Sequence, residues 1–149
     1  MDIQRDTLGM ADILEEYPVP GPRTLDGTLG FRLTAADATS AQGEAPYTTQ
    51  VCQRFGMVHG GVYAALAEMI ATEATIYQVW PRGDSAMGSS NNTAFLRPIS
   101  HGTIHAHATA RHSGRTTWVW DVDITDDEAR LCATSRVTIA VRPRRNHDS

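Results

Sequence analysis

The chain has few cysteines and no lysine. Cys52 and Cys132 lie far apart in its 149 residues. That spacing matches neither a disulfide framework nor a zinc site, so we interpret both as small buried or half-buried thiols. All thirteen basic residues are arginine, and the formal net charge is −4. We therefore expect no general affinity for polyanions and no nucleic-acid partner.

Long apolar runs are also missing. No stretch reaches the roughly eighteen uninterrupted apolar residues of a membrane span, so we expect no membrane partner. Residues 1–18 are acidic, whereas a signal peptide begins basic and continues apolar. These features predict a cytoplasmic protein. With 41% apolar residues, the length predicts one domain over residues 1–149, since two domains would each be too small for a core.

The first third of the sequence is irregular and rich in turn residues. Residues 10–17 are compatible with a short helix, which the prolines of "YPVPGP" at 17–22 would end. A first strand is predicted over 28–35, where apolar and other residues alternate, and a second strand region over 38–51. The alternating apolar residues of the first strand are Leu29, Phe31 and Leu33.

A long helix is predicted from near Gly60 to Tyr77 or Gln78, with "WPRGD" at 80–84 as its stop. It is apolar nearly all round, which is typical of a helix buried in a core or wrapped by a sheet.

Four strand segments follow the helix. The first two cover residues 91–99 and 102–112, and "TDDEAR" at 125–130 is the turn between the last two. In these last two strands, alternate positions carry apolar residues: Trp118, Trp120, Val122 and Ile124, then Leu131, Ala133, Val137, Ile139 and Val141. One helix followed by an antiparallel meander predicts an α+β fold in which a sheet curls around the helix.

Glu68 is unusual because it lies in the middle of the apolar helix. The residues three, four and seven positions away on its face are small or hydroxyl-bearing: Ala64, Ala65, Thr72 and Thr75. A buried ionised carboxylate without partners is strongly destabilising. Glu68 is therefore either a hydrogen-bonded structural carboxylate or a functional one.

Two adjacent glycines, Gly60 and Gly61, favour the functional alternative. They let a ligand approach the N–H groups at the helix N-terminus, where the positive end of the helix dipole stabilises an oxyanion. Glu68 lies about 12 Å further along the helix axis. If both features serve one site, Glu68 comes from the second subunit of a dimer, or the chain bends.

Four segments, in order, carry a family resemblance. "VHGGVYAALAE" at 58–68 resembles the hotdog-fold thioesterases, in which His-Gly-Gly opens the central helix and an Asp or Glu further along it is the catalytic carboxylate. Together with "SNNTAFLRP" (90–98), "TTWVWDV" (116–122) and "IAVRPRR" (139–145), it is similar to the 4-hydroxybenzoyl-CoA thioesterases of the actinobacterial type. The resemblance covers about residues 24–145, with 1–23 as an N-terminal extension, and implies a hotdog fold.

The resemblance implies a role for each matching residue. Gly60 donates its backbone N–H to the thioester carbonyl, and Gln53 assists at the same carbonyl. Glu68 is the nucleophile or the general base, and Thr72 holds the carboxylate or the hydrolytic water. In this family the Gly60 and Glu68 of one site come from opposite subunits, which would resolve the distance between them. His59 either fixes the turn before the helix by hydrogen bonding or stands beside the site as a base or substrate contact.

The resemblance also implies coenzyme A contacts. Arg97 and Arg145 match positions that meet the phosphates, with Thr116 alongside, and guanidinium suits phosphate through its bidentate geometry. Arg115 departs from the family pattern, which has serine there, so its contact is either ionic or lost. The implied assembly is a homo-oligomer, a dimer of dimers. We expect no metal and no cofactor, since coenzyme A is part of the substrate.

Several alternatives stay open. Attack by Glu68 would form a mixed anhydride, whereas Glu68 as a base would activate water directly. The acyl group could be of the phenylacetyl type or another aryl group instead of 4-hydroxybenzoyl. The acyl pocket could include Phe55, Met57 and Tyr63.

A hydratase, which adds water to an enoyl-CoA, lacks support because the Asp and His pair that it usually carries is not evident. A non-catalytic acyl-CoA binding module is a further alternative. His101, His105 and His107 share a parity, but we expect them to face outward and not to bind metal.

Overall fold

The computed structural model describes Ile13 and residues 16–145. The helix predicted over 10–17 falls largely outside these residues. Within them, six strands form one antiparallel sheet in the order β1-β2-β4-β5-β6-β3. The strands are β1 Arg32–Ala36, β2 Ser40–Pro46, β3 Asp84–Phe95, β4 Thr103–Ser113, β5 Thr117–Thr125 and β6 Leu131–Pro143. The helices are α1 Leu25–Leu29 and α2 Gly60–Val79, and short 3-10 turns cover Gly21–Arg23, Thr49–Val51 and Trp80–Arg82.

The sheet wraps around α2, as the predicted hotdog arrangement requires. The inward residues of β4, β5 and β6 are buried against the helix, which itself buries Leu66, Ile70 and Ala74 completely. Trp118 and Trp120 stack inside this core with ring centroids 5.9 Å apart. The alternation predicted for the last two strands is confirmed except at Leu131, which begins β6 and is exposed.

The predicted first strand begins too early. Residues Leu25–Leu29 form α1, because Thr24 caps its N-terminus by accepting a hydrogen bond from the Gly27 N–H at 3.1 Å. Gly30 ends the helix in the left-handed conformation, with φ at 72°. The strand itself starts only at Arg32.

The strand predicted over 91–99 is shifted. β3 starts at Asp84, directly after Gly83, and ends at Phe95. Its sequence between Ser85 and Asn92 is rich in Gly, Ser and Asn, which have low strand propensity. The composition of this stretch therefore does not predict a strand. Pairing with β6, from Asp84 opposite Pro143 to Phe95 opposite Ala133 with a bulge at Ser89, overrides that propensity.

The prediction for the long helix is nearly correct. His59 caps its N-terminus, since its Nδ1 accepts a hydrogen bond from the Gly61 N–H at 2.8 Å, and this confirms the turn-fixing role. At the other end the chain tightens into the Trp80–Arg82 turn, where Pro81 has no N–H to continue the helix.

β3 is an edge strand, and its outward position matters for the site. Most of its residues are exposed, including the large apolar side chains Met87 and Phe95, with Leu96 just beyond its end. Asn91 ties the middle of β3 to α2 by donating to the carbonyl of Ala64 at 2.9 Å. β3 is thus a long edge with unpaired backbone groups and exposed apolar side chains, which suits pairing with another chain.

One buried polar bond fastens α2 to the sheet. The indole Nε1–H of Trp120 donates to Oγ1 of Thr75 at 2.9 Å, and both residues are fully buried. Replacing Thr75 by valine would leave the indole N–H unpaired. We expect Thr75→Val to lower the free energy of unfolding by about 1–3 kcal/mol, the cost of an unsatisfied buried donor. Urea titration measures this change in the free energy of unfolding. Thr75→Ser is the matched control, because serine keeps the hydroxyl oxygen that accepts from the indole N–H. An equal loss in both variants would contradict the assigned role of this bond.

Candidate active site

The N-terminus of α2 opens into a cleft of about 560 Å³. As the first residue of the helix, Gly60 has an N–H that α-helical geometry leaves without a partner. The cleft is lined by Gly60 together with Gln53, His59, Arg97, Met57 and Tyr63. The predicted carbonyl-binding residues, Gly60 and Gln53, therefore share one cleft.

Both residues are prepared for a hydrogen-bond acceptor. A Cβ added at Gly60 would lie 2.9 Å from the ring of Phe95, so the aromatic side chain packs directly on bare backbone. The Gln53 side-chain oxygen accepts from the Phe55 N–H, which leaves the amide nitrogen as the end that donates. Phe55 itself is 89% exposed and lies outside the cleft lining, unlike Met57 and Tyr63.

Glu68 lies at a second pocket, of about 200 Å³, on another part of α2. Its side chain is exposed in the single chain, so the expectation that Glu68 is buried is wrong there. The reason is Gly88 on β3: a Cβ there would lie 2.6 Å from a Glu68 carboxylate oxygen, and glycine leaves that space to the side chain. Glu68 thus reaches past the edge strand towards solvent.

Thr72 lines the same pocket one turn further along the helix. Its Oγ1 is buried and has no hydrogen-bond partner within the described part of the chain. A hydroxyl in that state is available to a carboxylate oxygen or a bound water, because buried polar groups are normally paired.

Two further acids line the Glu68 pocket, and the sequence reasoning missed both. They are Asp26 on α1 and Glu73 on α2, and apolar atoms of Leu25, Ala65 and Met69 complete the lining. Asp26 was missed because no helix was predicted directly before the strand at 28–35. Glu73 directly follows Thr72, and this adjacency was a signal that could have identified it.

The environment alters the protonation of both acids. Burial raises the pKa of Glu73, and hydrogen bonds from the hydroxyls of Tyr17 and Tyr77 oppose this only in part. Burial also raises the pKa of Asp26, with a smaller contribution from the negative charge of Glu68. Three carboxyl groups around one small pocket favour retention of a proton.

The cleft at Gly60 and the pocket at Glu68, which we call the two half-sites, do not meet within one chain. Gly60 and Glu68 belong to the same continuous helix, which separates them by about 12 Å along its axis. No residue lines both the cleft and the pocket. A small thioester group cannot contact both half-sites of a single chain.

The predicted coenzyme A residues are separated in the same way. Arg97 lies at the cleft, and its N–H donates to the carbonyl of Cys132 near the start of β6. Thr116 is bonded through its carbonyl to Val141 near the end of β6. The intervening stretch of strand is about 30 Å long. Arg115, Thr116 and Arg145 are exposed at this far end.

The histidine cluster gives no metal site. Ring Nε2 of His105 lies 2.7 Å from Oδ1 of Asp127, and the other carboxylate oxygen, Oδ2, accepts a hydrogen bond from the Thr103 N–H. Among the described residues, no three His, Cys, Asp or Glu side chains are grouped to hold a metal ion. None of the helices described is long and apolar enough to cross a membrane.

Comparison with known proteins gives consistent matches. Residues 55–133 match the model of the thioesterase superfamily. A Mycobacterium tuberculosis protein named as an esterase is 36% identical over 76% of this chain and 83% of its own length. The proofreading thioesterase EntH of Klebsiella pneumoniae is 31% identical over 79% and 85%, respectively. The crystal structure of a Haemophilus influenzae thioesterase matches with a TM-score of 0.78 and 32% identity, covering 85% of this chain and 88% of that one.

The raised pKa of Glu73 predicts a pH-dependent stability. Because the folded chain holds this proton more tightly than the unfolded chain, its contribution is fully present below the unfolded pKa and is lost as pH rises through the folded pKa. Glutamine cannot ionise, so we expect Glu73→Gln to gain stability relative to the parent as pH rises from about 4 to about 8. Urea unfolding across that range measures the difference.

Asp37→Asn is the control of opposite sign. Hydrogen bonds from the Thr39 and Ser40 N–H groups lower the pKa of Asp37, so this variant should lose stability relative to the parent as pH rises to about 5 and should show little change above that, with the titration extended to about pH 2. A Glu73→Gln difference that stays constant with pH would contradict the assignment of a raised pKa.

Proposed function

The chain belongs to the thioesterase superfamily, and from that premise we propose that it hydrolyses an aromatic acyl-CoA, with 4-hydroxybenzoyl-CoA as the preferred substrate. The products are the aromatic acid and coenzyme A. The observation that carries this proposal is the pairing of a carbonyl-binding cleft at Gly60 with an acid-lined pocket at Glu68. Thioester hydrolysis is the activity that it shares with its relatives. The aryl substrate and the roles of the site residues are the parts that we propose.

A dimer formed through β3 would bring the two half-sites together. In a two-fold antiparallel pairing centred on Asn92, with Ser89 as the extra residue of a bulge, Gly88 lies opposite the partner's Phe95. Gly88 is the residue against which Glu68 lies, and Phe95 is the residue that packs on Gly60. Glu68 of one protomer would then stand beside Gly60 of the other, and symmetry would create two such sites.

Two independent features support the same register. It places Met87 beside the partner's Leu96, so that exposed apolar side chains cover each other. It also places Arg97 opposite the start of the partner's β3, the segment to which the partner's C-terminal tail is bonded. Arg97 and Arg145, which lie towards opposite ends of β6 in one chain, would thereby serve one coenzyme A.

The reaction follows from this arrangement. The Gly60 N–H and the Gln53 amide would donate to the thioester oxygen and stabilise its negative charge as the carbonyl carbon becomes tetrahedral. A Glu68 carboxylate oxygen would attack that carbon, and collapse of the adduct would expel coenzyme A as thiolate and leave a mixed anhydride. Water positioned by Thr72 would then hydrolyse the anhydride. In the alternative route, Glu68 takes a proton from the water that attacks the thioester.

The second pocket supports a hydroxyl-bearing aromatic acyl group. Leu25, Ala65 and Met69 offer apolar walls, while Asp26 and Glu73 supply oxygen atoms that can accept from a phenol hydroxyl or, when protonated, donate to it. A simple alkyl chain would take up none of the hydrogen bonds that these two half-buried carboxyl groups can offer to a substrate. A phenylacetyl group or an unsubstituted aryl group would use the walls but not the acids.

The remaining assignments are proposals of the same kind. Arg97, Thr116 and Arg145 would bind the phosphates of coenzyme A, and Arg115 would add an ionic contact. His59 would line the substrate cleft while capping α2. We also propose that the enzyme is cytoplasmic, acts as a dimer of dimers and needs no metal or other cofactor.

Thiol release from a panel of CoA esters tests the function. We expect kcat/KM to be highest for 4-hydroxybenzoyl-CoA, lower for benzoyl- and phenylacetyl-CoA, and lowest for alkyl esters. Glu68→Ala should keep the fold and lower kcat on the order of a thousandfold, since it removes the nucleophile or base. The matched control is Glu128→Ala, an exposed glutamate of the β5–β6 turn, which should leave kcat unchanged.

Each unfavourable outcome has a distinct meaning. Preference for alkyl esters would overturn the acyl assignment. A folded Glu68→Ala protein with the parent's activity would overturn the site. Tight binding of CoA esters without thiol release by the parent would identify a binding module instead of an enzyme.

A further inference from the structure

The Trp80–Arg82 turn, which follows α2, contacts the C-terminal tail. The Arg144 N–H donates to the carbonyl of Gly83, the residue after this turn, at 2.9 Å. The Arg144 guanidinium lies 4.1 Å from the centroid of the Trp80 ring, within cation–π distance. The tail is therefore held at Arg144, one residue before Arg145.

The same turn also contacts the loop between β4 and β5. Nη2 of Arg82 donates to the carbonyl of Arg115 at 3.0 Å, while its Nε pairs with Asp84 at 2.6 Å. With two of its nitrogens engaged in this way, Arg82 fixes the backbone that carries Arg115 and Thr116. One short turn thus contacts both segments that carry the proposed phosphate ligands at this end of the sheet.

Trp80 also contacts Tyr17. The ring of Tyr17 meets it edge-on, with centroids 6.2 Å apart and an interplanar angle of 80°. The Tyr17 hydroxyl donates to Glu73 at 3.2 Å, and Glu16 forms an ion pair with Arg144 at 3.3 Å. The pair with Glu16 offsets the charge of Arg144, whereas Arg145 is exposed beside it.

We propose that Trp80 and Arg82 are positioning residues for coenzyme A binding: Trp80 places Arg145 through Arg144, and Arg82 places Arg115 and Thr116 through their backbone. This inference rests on the proposed binding of phosphate by those residues. Its physical basis is preorganisation, since an arginine on an ordered tail loses less conformational entropy when it binds phosphate.

Substitutions of Trp80 test the proposal without changing any charge. We expect Trp80→Leu to raise KM for the CoA thioester about three- to fivefold, because the cation–π contact that orders the tail is lost. It should leave kcat unchanged, and it should leave KM unchanged for a pantetheine thioester, which lacks the nucleotide. Trp80→Phe keeps an aromatic face and should restore most of the affinity. Circular dichroism and the melting temperature report whether each variant folds.

Arg145→Ala is the reference that separates this inference from the function on which it depends. If Arg145→Ala raises KM for the CoA ester and Trp80→Leu does not, the inference is wrong while the binding site stands. If Arg145→Ala has no effect, the proposed phosphate site is wrong, and the inference falls with it. In the double variant, the Trp80→Leu effect should largely disappear, because its target is gone. Full additivity would contradict the proposal.

Arg82 provides a second test that does not depend on how Trp80→Leu folds. Arg82→Gln should raise KM for the CoA ester, and Arg82→Lys should fail to rescue it, since lysine keeps the charge but not the two-nitrogen geometry. Full rescue by lysine would show that Arg82 acts only as a charge and would overturn its positioning role.

Discussion

The fixed spacing along α2 is the constraint on which the rest of this account depends. Gly60 begins the helix and Glu68 lies about two turns later, so a rigid distance of about 12 Å separates the N–H that we propose to bind the oxyanion from the Glu68 carboxylate. The helix is continuous from Gly60 to Val79, and the complete burial of Leu66 between the two groups holds it in place against the core. A site that uses both groups must take them from two chains.

The edge strand β3 lies beside both groups and therefore determines how a second chain could bring them together. Gly88 gives Glu68 room to pass, Phe95 packs on Gly60, and Asn91 ties the strand to the helix between them. A glycine inside a strand normally weakens it, so its presence at position 88 fits a functional demand for close approach. The exposed apolar side chains of the same strand are consistent with a surface that a second copy covers.

Acidic residues lie at one end of the proposed site and arginines at the other. Asp26, Glu68 and Glu73 surround a small pocket, where burial and neighbouring negative charge favour a protonated acid that can donate to a neutral acyl group. Arginines gather instead at the C-terminal tail and the β4–β5 loop, which suits the phosphates of a nucleotide.

Much of this could be predicted from the sequence, and the failures have identifiable causes. The helix limits followed from His-Gly-Gly and "WPRGD", and the last two strands from strict alternation, because both signals are local. The start of β3 could not be predicted, since pairing with β6 overrides the low strand propensity of its Gly, Ser and Asn residues. The exposure of Glu68 and the part played by Asp26 depend on contacts between segments distant in sequence, with Gly88 and with α1. The order of motifs likewise gave no indication that Arg97 and Arg145 lie at opposite ends of the sheet.

Complementation between two inactive variants tests the shared site most directly. Gln53→Ala and Glu68→Ala chains, each inactive alone and carrying different tags, can be co-expressed and purified through both tags in turn. In a mixed dimer, one site combines the intact Gln53 of one chain with the intact Glu68 of the other, so the account predicts activity of about half that of the parent dimer. Purified mixed dimers that are no more active than either variant alone would contradict it.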